Sequence, residues 1–368
     1  MIKALLKPGD IKRIVVRGAT WIGDAVMAVP ALRELRRLLP HTHITLATNS
    51  WAQELFPDAD FIDDLLIYDH KLRGAQYILQ QARAWREKRF DMAVIFPNSF
   101  AAAFLPFAAR VPVRIGYRTD GRRLLLTHSF KAPAWRDARH ESYYYLNIVA
   151  ELERALFEGK ELETHQPVFD LQVAEEKQKA ARLILQQYGA RLERPLIALC
   201  PGSTNSRAKR WPVDRYASLA DQLIEDAGVE IVLIGAKEEL DVSQNVASQM
   251  RRRPIMLTGR TNLAESTGVL SLIDLLVTND TGPAHIAAAL GRPVLAIFGP
   301  TNPLTTYPFS SAAEIIRHPP ACAPCMLRDC PIDHRCMTGV TSAEVYERAA
   351  AMLARTRRAT AVVAEEVR

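Results

Sequence analysis

The sequence predicts an α/β protein made of two parallel-sheet domains in tandem, and three observations carry that prediction. Short apolar runs of strand length alternate with longer amphipathic stretches, the pattern of β-α-β units. The strand-rich blocks fall into two groups, each long enough for one doubly wound unit. Between them lies EGKELETHQPVFDLQVAEEK (158–177), polar and weakly patterned, which reads as a linker.

In the first group, strands are predicted at 12–17, 43–48, 64–68 and 91–96, where apolar residues run together. Amphipathic helices fit 24–38, 74–88 and 140–156. In the second group, strands are predicted at 195–200, 229–234, 254–257, 273–278 and 293–298. Their helices fit 173–188, 213–227, 237–250, 262–271 and 282–290. The domains are accordingly 1–165 and 175–342. A last helix, 343–368, is rich in Ala and Arg, and one placement open to it is back on the first domain. Two such sheets in tandem set their strand C-terminal edges opposite one another, so the cleft between them is the expected ligand site.

Composition narrows the class. Of 368 residues, 48% are hydrophobic and 24% charged, the balance of a soluble globular chain. No apolar run approaches the ~20 residues of a membrane span. The start, MIKALLKPGDIKR, has too short an apolar core for a signal peptide, and Pro8 and Gly9 break it, so a cytoplasmic protein is expected. The net charge of +6 suits nucleic acid, an anionic membrane surface, an acidic substrate or a solvated basic face. No basic patch is interleaved with aromatics, which argues against nucleic acid.

The first predicted strand leads into RGATWIGDAVMAVPAL (17–32). A strand-to-helix turn of this kind suggests a phosphate cradle, but it has only Gly18 and Gly23, and the carboxylate of Asp24 would repel phosphate. From the residues alone, Asp24 reads as a helix cap. The second domain carries the phosphate signals. In LCPGSTNSRAKRWP a tight turn with Ser203 and Thr204 is followed by Lys209 and Arg210, donors and cations that suit a diphosphate or an ordinary basic loop. In TNDTGPAHIAAALGRPVLAIFGPTNP (278–303), Asp280 and Thr281 precede a helix beginning near Gly282, whose N-terminus suits an anion. His285 lies in its first turn as a structural or a catalytic histidine, and the loop Gly299-Pro300-Thr301 is placed to close over a sugar or phosphate. LIGAKEEL (233–240) offers Glu238 and Glu239, either for ribose hydroxyls or for the helix dipole. Neither G-x-G-x-x-G after the first strand nor G-x-x-x-x-G-K-[ST] occurs, which weakens dehydrogenase and P-loop readings. The only D-x-D, at 58–60, sits in a Pro-flanked loop, and no catalytic divalent ion is expected.

Cys322, Cys325, Cys330 and Cys336, with His334 nearby, are spaced C-x2-C-x4-C-x5-C. Two readings stand: a structural tetrahedral metal site, or free thiols.

WIGDAVMAVPAL, PGSTNSRAKRWP and TNDTGPAHIAAALGRPVLAIFGPTNP, in this order and with these gaps, closely resemble the bacterial ADP-heptose:lipopolysaccharide heptosyltransferases, glycosyltransferase family 9. The segment 96–128 and the AKRWP form of the loop most resemble the type II branch. The resemblance implies a GT-B fold, with the donor on the C-terminal domain and the acceptor on the N-terminal one. It implies inverting, metal-independent transfer of heptose from ADP-heptose to the first heptose of the lipopolysaccharide inner core, with no other cofactor. Asp24 then matches the proposed base, and Lys209 the lysine beside the diphosphate. Ser203, Thr204, Thr281 and Gly282 are expected on the phosphates, Asp280 on heptose hydroxyls, His285 behind that loop and Glu238 on ribose. Asn98, Arg118, Arg122 and Arg123, with Arg114, are expected on the anionic Kdo–lipid A acceptor. A lipid-borne acceptor implies peripheral association with the cytoplasmic face of the inner membrane. The type I activity, another family 9 or GT-B nucleotide-sugar enzyme, and a non-catalytic binding protein of the same fold are the alternatives.

Overall fold

A computed structural model describes residues 7–68, 74–157, 162 and 165–366. The expected linker therefore lies partly outside the described residues. The chain separates into two compact units, Met1–Phe169 and Asp170–Arg368.

The first unit is a six-stranded parallel sheet of β1 (Arg13–Arg17), β2 (His43–Thr48), β3 (Asp64–Ile67), β4 (Met92–Ile95), β5 (Val113–Tyr117) and β6 (His128–Phe130). Its helices are α1 (Ile22–Met27), α2 (Val29–Leu38), α3 (Ala52–Leu55), α4 (Gly74–Glu87), α5 (Phe100–Ala108) and α6 (Glu141–Phe157). The strand order is β3-β2-β1-β4-β5-β6. Ile14, Val15 and Val16 of β1 are fully buried, as central strands covered on both faces require. The single helix expected over 24–38 is two. Pro30 cannot donate to the carbonyl four residues back, so α1 stops at Met27 and α2 restarts with Pro30 in its first turn.

The second unit repeats the plan with β7 (Leu196–Cys200), β8 (Glu230–Leu233), β9 (Ile255–Met256), β10 (Leu275–Asn279), β11 (Val294–Ile297) and β12 (Ala313–Ile316). Its order, β12-β11-β10-β7-β8-β9, is the same topology as the first. The helices are α7 (Glu175–Gln187), α8 (Val213–Ala227), α9 (Leu240–Gln249), α10 (Leu263–Leu270), α11 (Gly282–Ala289), α12 (Pro303–Thr306), α13 (Arg335–Thr338) and α14 (Ser342–Glu366). Val345, Ala349, Met352 and Leu353 of α14 join the core of the second unit, against Trp211, Tyr216 and Leu223. This corrects the placement of the last helix back on the first domain.

In each sheet the connections reverse direction between the first strand and the fourth: β1 beside β4, and β7 beside β10. Such a switch point leaves a crevice at the carboxyl ends of the strands, where doubly wound proteins bind ligands. Asp24 follows β1 and Asn98 follows β4. Lys209 follows β7 and Asp280 follows β10.

Candidate active site

The second unit's switch point is built around a buried asparagine. Asn279, the last residue of β10, is fully buried. Its Nδ2 donates to the carbonyls of Pro201 (2.9 Å) and Gly202 (3.0 Å), and its Oδ1 accepts from the Trp211 amide (3.0 Å) and the Tyr216 hydroxyl (3.2 Å). One side chain thus ties the Gly202 turn and the start of α8 to β10. Gly202 is obligatory for a different reason. A Cβ there would stand 2.4 Å from Cδ of Glu239, a buried acid whose Oε1 accepts from the Thr204 hydroxyl (3.1 Å) and whose Oε2 accepts from the Ala236 amide (2.9 Å). Glu239 is therefore internal, while Glu238 is exposed in the turn after β8.

This scaffold holds a cation at the crevice. Lys209 Nζ lies 2.8 Å from Asp280 Oδ2, an ion pair whose angles fall short of a hydrogen bond, and donates to the Asp280 carbonyl (3.1 Å). Asp280 is almost wholly buried, whereas the lysine side chain keeps 26% exposure. An ammonium has three donors and one is spent on that carbonyl, so donors remain for an incoming anion. Asp280 faces the lysine through Oδ2. His285 is buried beneath this pair. Burial lowers its imidazole to about 4, Asp280 opposes the drop and Lys209 adds to it, so the ring is neutral at pH 7. Thr281, the residue before α11, shares a hydroxyl contact with Thr278 (3.1 Å) and stays half-buried beside Gly282. Ser203 is buried, and its carbonyl accepts from Arg210 (3.1 Å).

The cysteine segment packs directly on these loops. The Ala208 amide donates to the Arg328 carbonyl (2.9 Å), His334 Nε2 meets the Ala208 carbonyl (2.6 Å), and the Met326 amide donates to the Pro300 carbonyl (2.9 Å). A Cβ on Gly299 would meet Met337 Sδ at 2.3 Å. The 299–301 loop is thus pinned from behind. All four cysteines line a cavity of about 80 Å³ under the Lys209 loop. None of them is in a disulfide, and among the described residues no group of three His, Cys, Asp or Glu is placed to hold a metal.

At the first unit's switch point, Asp24 is the third residue of α1 and half-buried. Trp21 occupies the cap position, so Asp24 is not the N-cap. Gly18 lets the preceding turn press on β2, where a Cβ would stand 2.8 Å from Leu46 Cδ1. A second acid, which sequence reasoning missed, stands in Asp24's field: Glu141, at the start of α6. Burial pushes its carboxyl up to about 7. Arg136 opposes the rise, and Asp24 and Asp137 add to it. Tyr145, fully buried, also feels both acids. Two interacting carboxyls in one crevice are a mark of functional sites. Asn98, after β4, is held by the Tyr144 hydroxyl (3.0 Å, to Oδ1) and the Thr119 hydroxyl (2.9 Å, to its carbonyl).

The arginines divide. Arg118 and Arg123 are exposed, Arg118 directly after β5 at the carboxyl edge. Arg122 is fully buried. Its Nε donates to the Tyr117 carbonyl (2.7 Å), and Nη1 to the carbonyls of Pro97 and Ser99, on either side of Asn98. Burial brings its guanidinium down to about 10, still charged at neutral pH. Arg114 sits at the amino end of β5 and donates to the carbonyls of Leu125 (2.7 Å) and Val111 (2.5 Å). Both are structural, a correction to the acceptor contacts expected of them. Of the D-x-D motif, Asp60 pairs with Arg33 (3.1 Å).

Residues 78–335 match the family model of glycosyltransferase family 9 (heptosyltransferase). The chain is 33% identical over 316 residues to lipopolysaccharide heptosyltransferase 2 of Salmonella typhimurium, covering 83% of this chain and 88% of that one. It superposes on the structure of the E. coli ADP-heptose lps heptosyltransferase II with a TM-score of 0.77 at 27% identity, covering 94% of this chain and 100% of that one. The Veillonella parvula family 9 glycosyl transferase shares the fold, with a TM-score of 0.81 at 24% identity over 95% and 98% of the two chains.

Proposed function

The chain belongs to glycosyltransferase family 9, and on that premise we propose that it transfers L-glycero-D-manno-heptose from ADP-heptose to the first heptose of the lipopolysaccharide inner core, with inversion and without a metal. The observation that carries the proposal is Lys209. Its ammonium is held at the switch point of the second sheet by Asp280 and keeps donors for a diphosphate.

Inverting transfer is a single displacement. The acceptor hydroxyl oxygen bonds the heptose anomeric carbon while its proton passes to Asp24. The bond from that carbon to the β-phosphate oxygen breaks, and ADP leaves with the electron pair. Charge grows on ADP as the transition state takes on oxocarbenium character, so a cation already in place stabilises it most. Lys209 supplies that charge. Ser203, Thr204, Thr281 and Gly282 donate to the phosphates, and Glu238 reaches the ribose hydroxyls. Asp280 and His285 orient Lys209. Asn98, Arg118 and Arg123 hold the anionic acceptor, and Arg122 supports Asn98 from below.

A lipid-borne acceptor places the enzyme at the cytoplasmic face of the inner membrane as a peripheral protein. Among the described residues no helix is long and apolar enough to cross a membrane. The test is ADP release from ADP-heptose with heptose-primed Kdo–lipid A. Release only when both are present is expected. Turnover on unprimed Kdo–lipid A alone would assign the first heptose transfer instead, and release with neither acceptor would refute the transfer.

A further inference from the structure

We propose that α5 and the turn after β5 form the face by which this protein docks on an anionic phospholipid surface. The inner side of α5 is ordinary core: Ala102, Ala103, Leu105 and Pro106 are buried. Its outer side is aromatic. Phe100 is 49% exposed and Phe107 is 43% exposed. Phe104 lies between them, with ring centroids 6.0 Å from Phe100 and 6.2 Å from Phe107. Beside this ladder, the turn Arg122–Leu125 points Leu124 outward at 89% exposure. A side chain so exposed contributes almost nothing to folding, and exposed large apolar groups on two neighbouring elements mark an interaction surface.

The charge around the patch selects the partner. The segment 97–130 contains five arginines and one acid, Asp120. Arg110, Arg118 and Arg123 are exposed around the apolar groups, and the Arg114 guanidinium lies 5.5 Å over the Phe107 ring. Phenylalanine and leucine entering the acyl boundary while arginines stay at the headgroups is the arrangement of interfacial membrane binding. A protein partner of neutral surface would leave the arginines unmatched.

The patch is also coupled to the site. Arg122, inside the same turn, donates to the carbonyls on both sides of Asn98. Docking the turn on lipid therefore brings the Asn98 loop to the surface where a lipid-borne acceptor sits. That consequence, though not the docking itself, rests on the heptosyltransferase reading.

The test is co-sedimentation of the full chain with phosphatidylglycerol-containing vesicles and with pure phosphatidylcholine vesicles. Binding to the anionic vesicles, weakened about tenfold or more by high salt, is expected. Leu124→Asp and Phe100→Ser should each lower it by about tenfold, while ADP release with a delipidated, water-soluble heptose acceptor stays unchanged. Equal sedimentation of wild type and both variants would overturn the proposal. So would a salt-independent dimer of the wild type that Leu124→Asp dissolves, since a second copy would then own the face. Failure of ADP release with every heptose acceptor, alongside intact vesicle binding, would count against the proposed reaction and not against the docking face.

Discussion

Replacing Glu141 by Gln should stabilise this protein, and increasingly so as pH rises. Glu141 is half-buried, and its carboxyl moves from the ordinary 4.5 to about 7 through burial first, with Asp24 and Asp137 adding and Arg136 opposing. The folded chain therefore binds more protons here than the unfolded chain between those two values. Stability attributable to this group is full below about pH 4.5 and is lost as pH climbs through about 7. The full displacement corresponds to about 3 kcal/mol, and residual exposure of the carboxyl to water reduces it to about 1–2 kcal/mol. Glutamine has the shape of the protonated acid and does not titrate. The variant's margin over wild type should thus widen by about 1–2 kcal/mol between about pH 5 and pH 8, or about 4 °C in Tm for a unit of this size. Thermal unfolding of both proteins across that range reads it directly and needs no substrate. A margin that stays constant, or narrows as pH rises, would refute the raised carboxyl of Glu141 at the first switch point. A site that costs stability in its ionised form is what function-driven placement of a carboxylate predicts.

Other perturbations probe the second unit. Lys209→Ala should lower kcat/KM by about 10²-fold or more, with the larger part in kcat, because its charge counts most as ADP departs; steady-state kinetics at varied ADP-heptose reads the split. Asn279→Ala strands four buried partners and should cost about 2–4 kcal/mol in urea denaturation, well beyond an ordinary surface change. With a thiol alkylating reagent at pH 8, exposed Cys322 should react first. Cys336, whose thiol burial and then the neighbouring thiols push up, should lag, and Cys200, buried and pushed up to about 12, should react only on unfolding; peptide mapping over time gives the order.

Most of the frame was legible in the chain because parallel strands buried on both faces leave unbroken apolar runs. IVV in β1, LIAL in β7 and LLV in β10 stand out without any structure. Two edge strands, β6 and β12, did not. β6 has three residues and the four of β12 are mostly half-buried, so neither is apolar enough to mark itself. Helix α5 hid behind Pro106 and a run of alanines. At the site, what local order encodes was readable: Lys209 after one strand, Asp280 after another, Asp24 in a strand-to-helix turn. What depends on residues far apart was not. Asn279 acts on partners 63 to 78 positions away, and Glu141 reaches Asp24's field only because α6 packs against α1. Arg122 looked like one more surface arginine, and only the carbonyls of Pro97, Ser99 and Tyr117 converging on it explain why a cation is buried there.

The central claim is that Asp24 takes the acceptor proton while the second unit alone holds the donor. Measuring Asp24→Asn for both turnover and ADP-heptose binding tests it most directly. Turnover should fall by about 10²-fold or more while the donor Kd stays within about twofold of wild type. Near-normal turnover, or a loss explained by weaker donor binding, would contradict it.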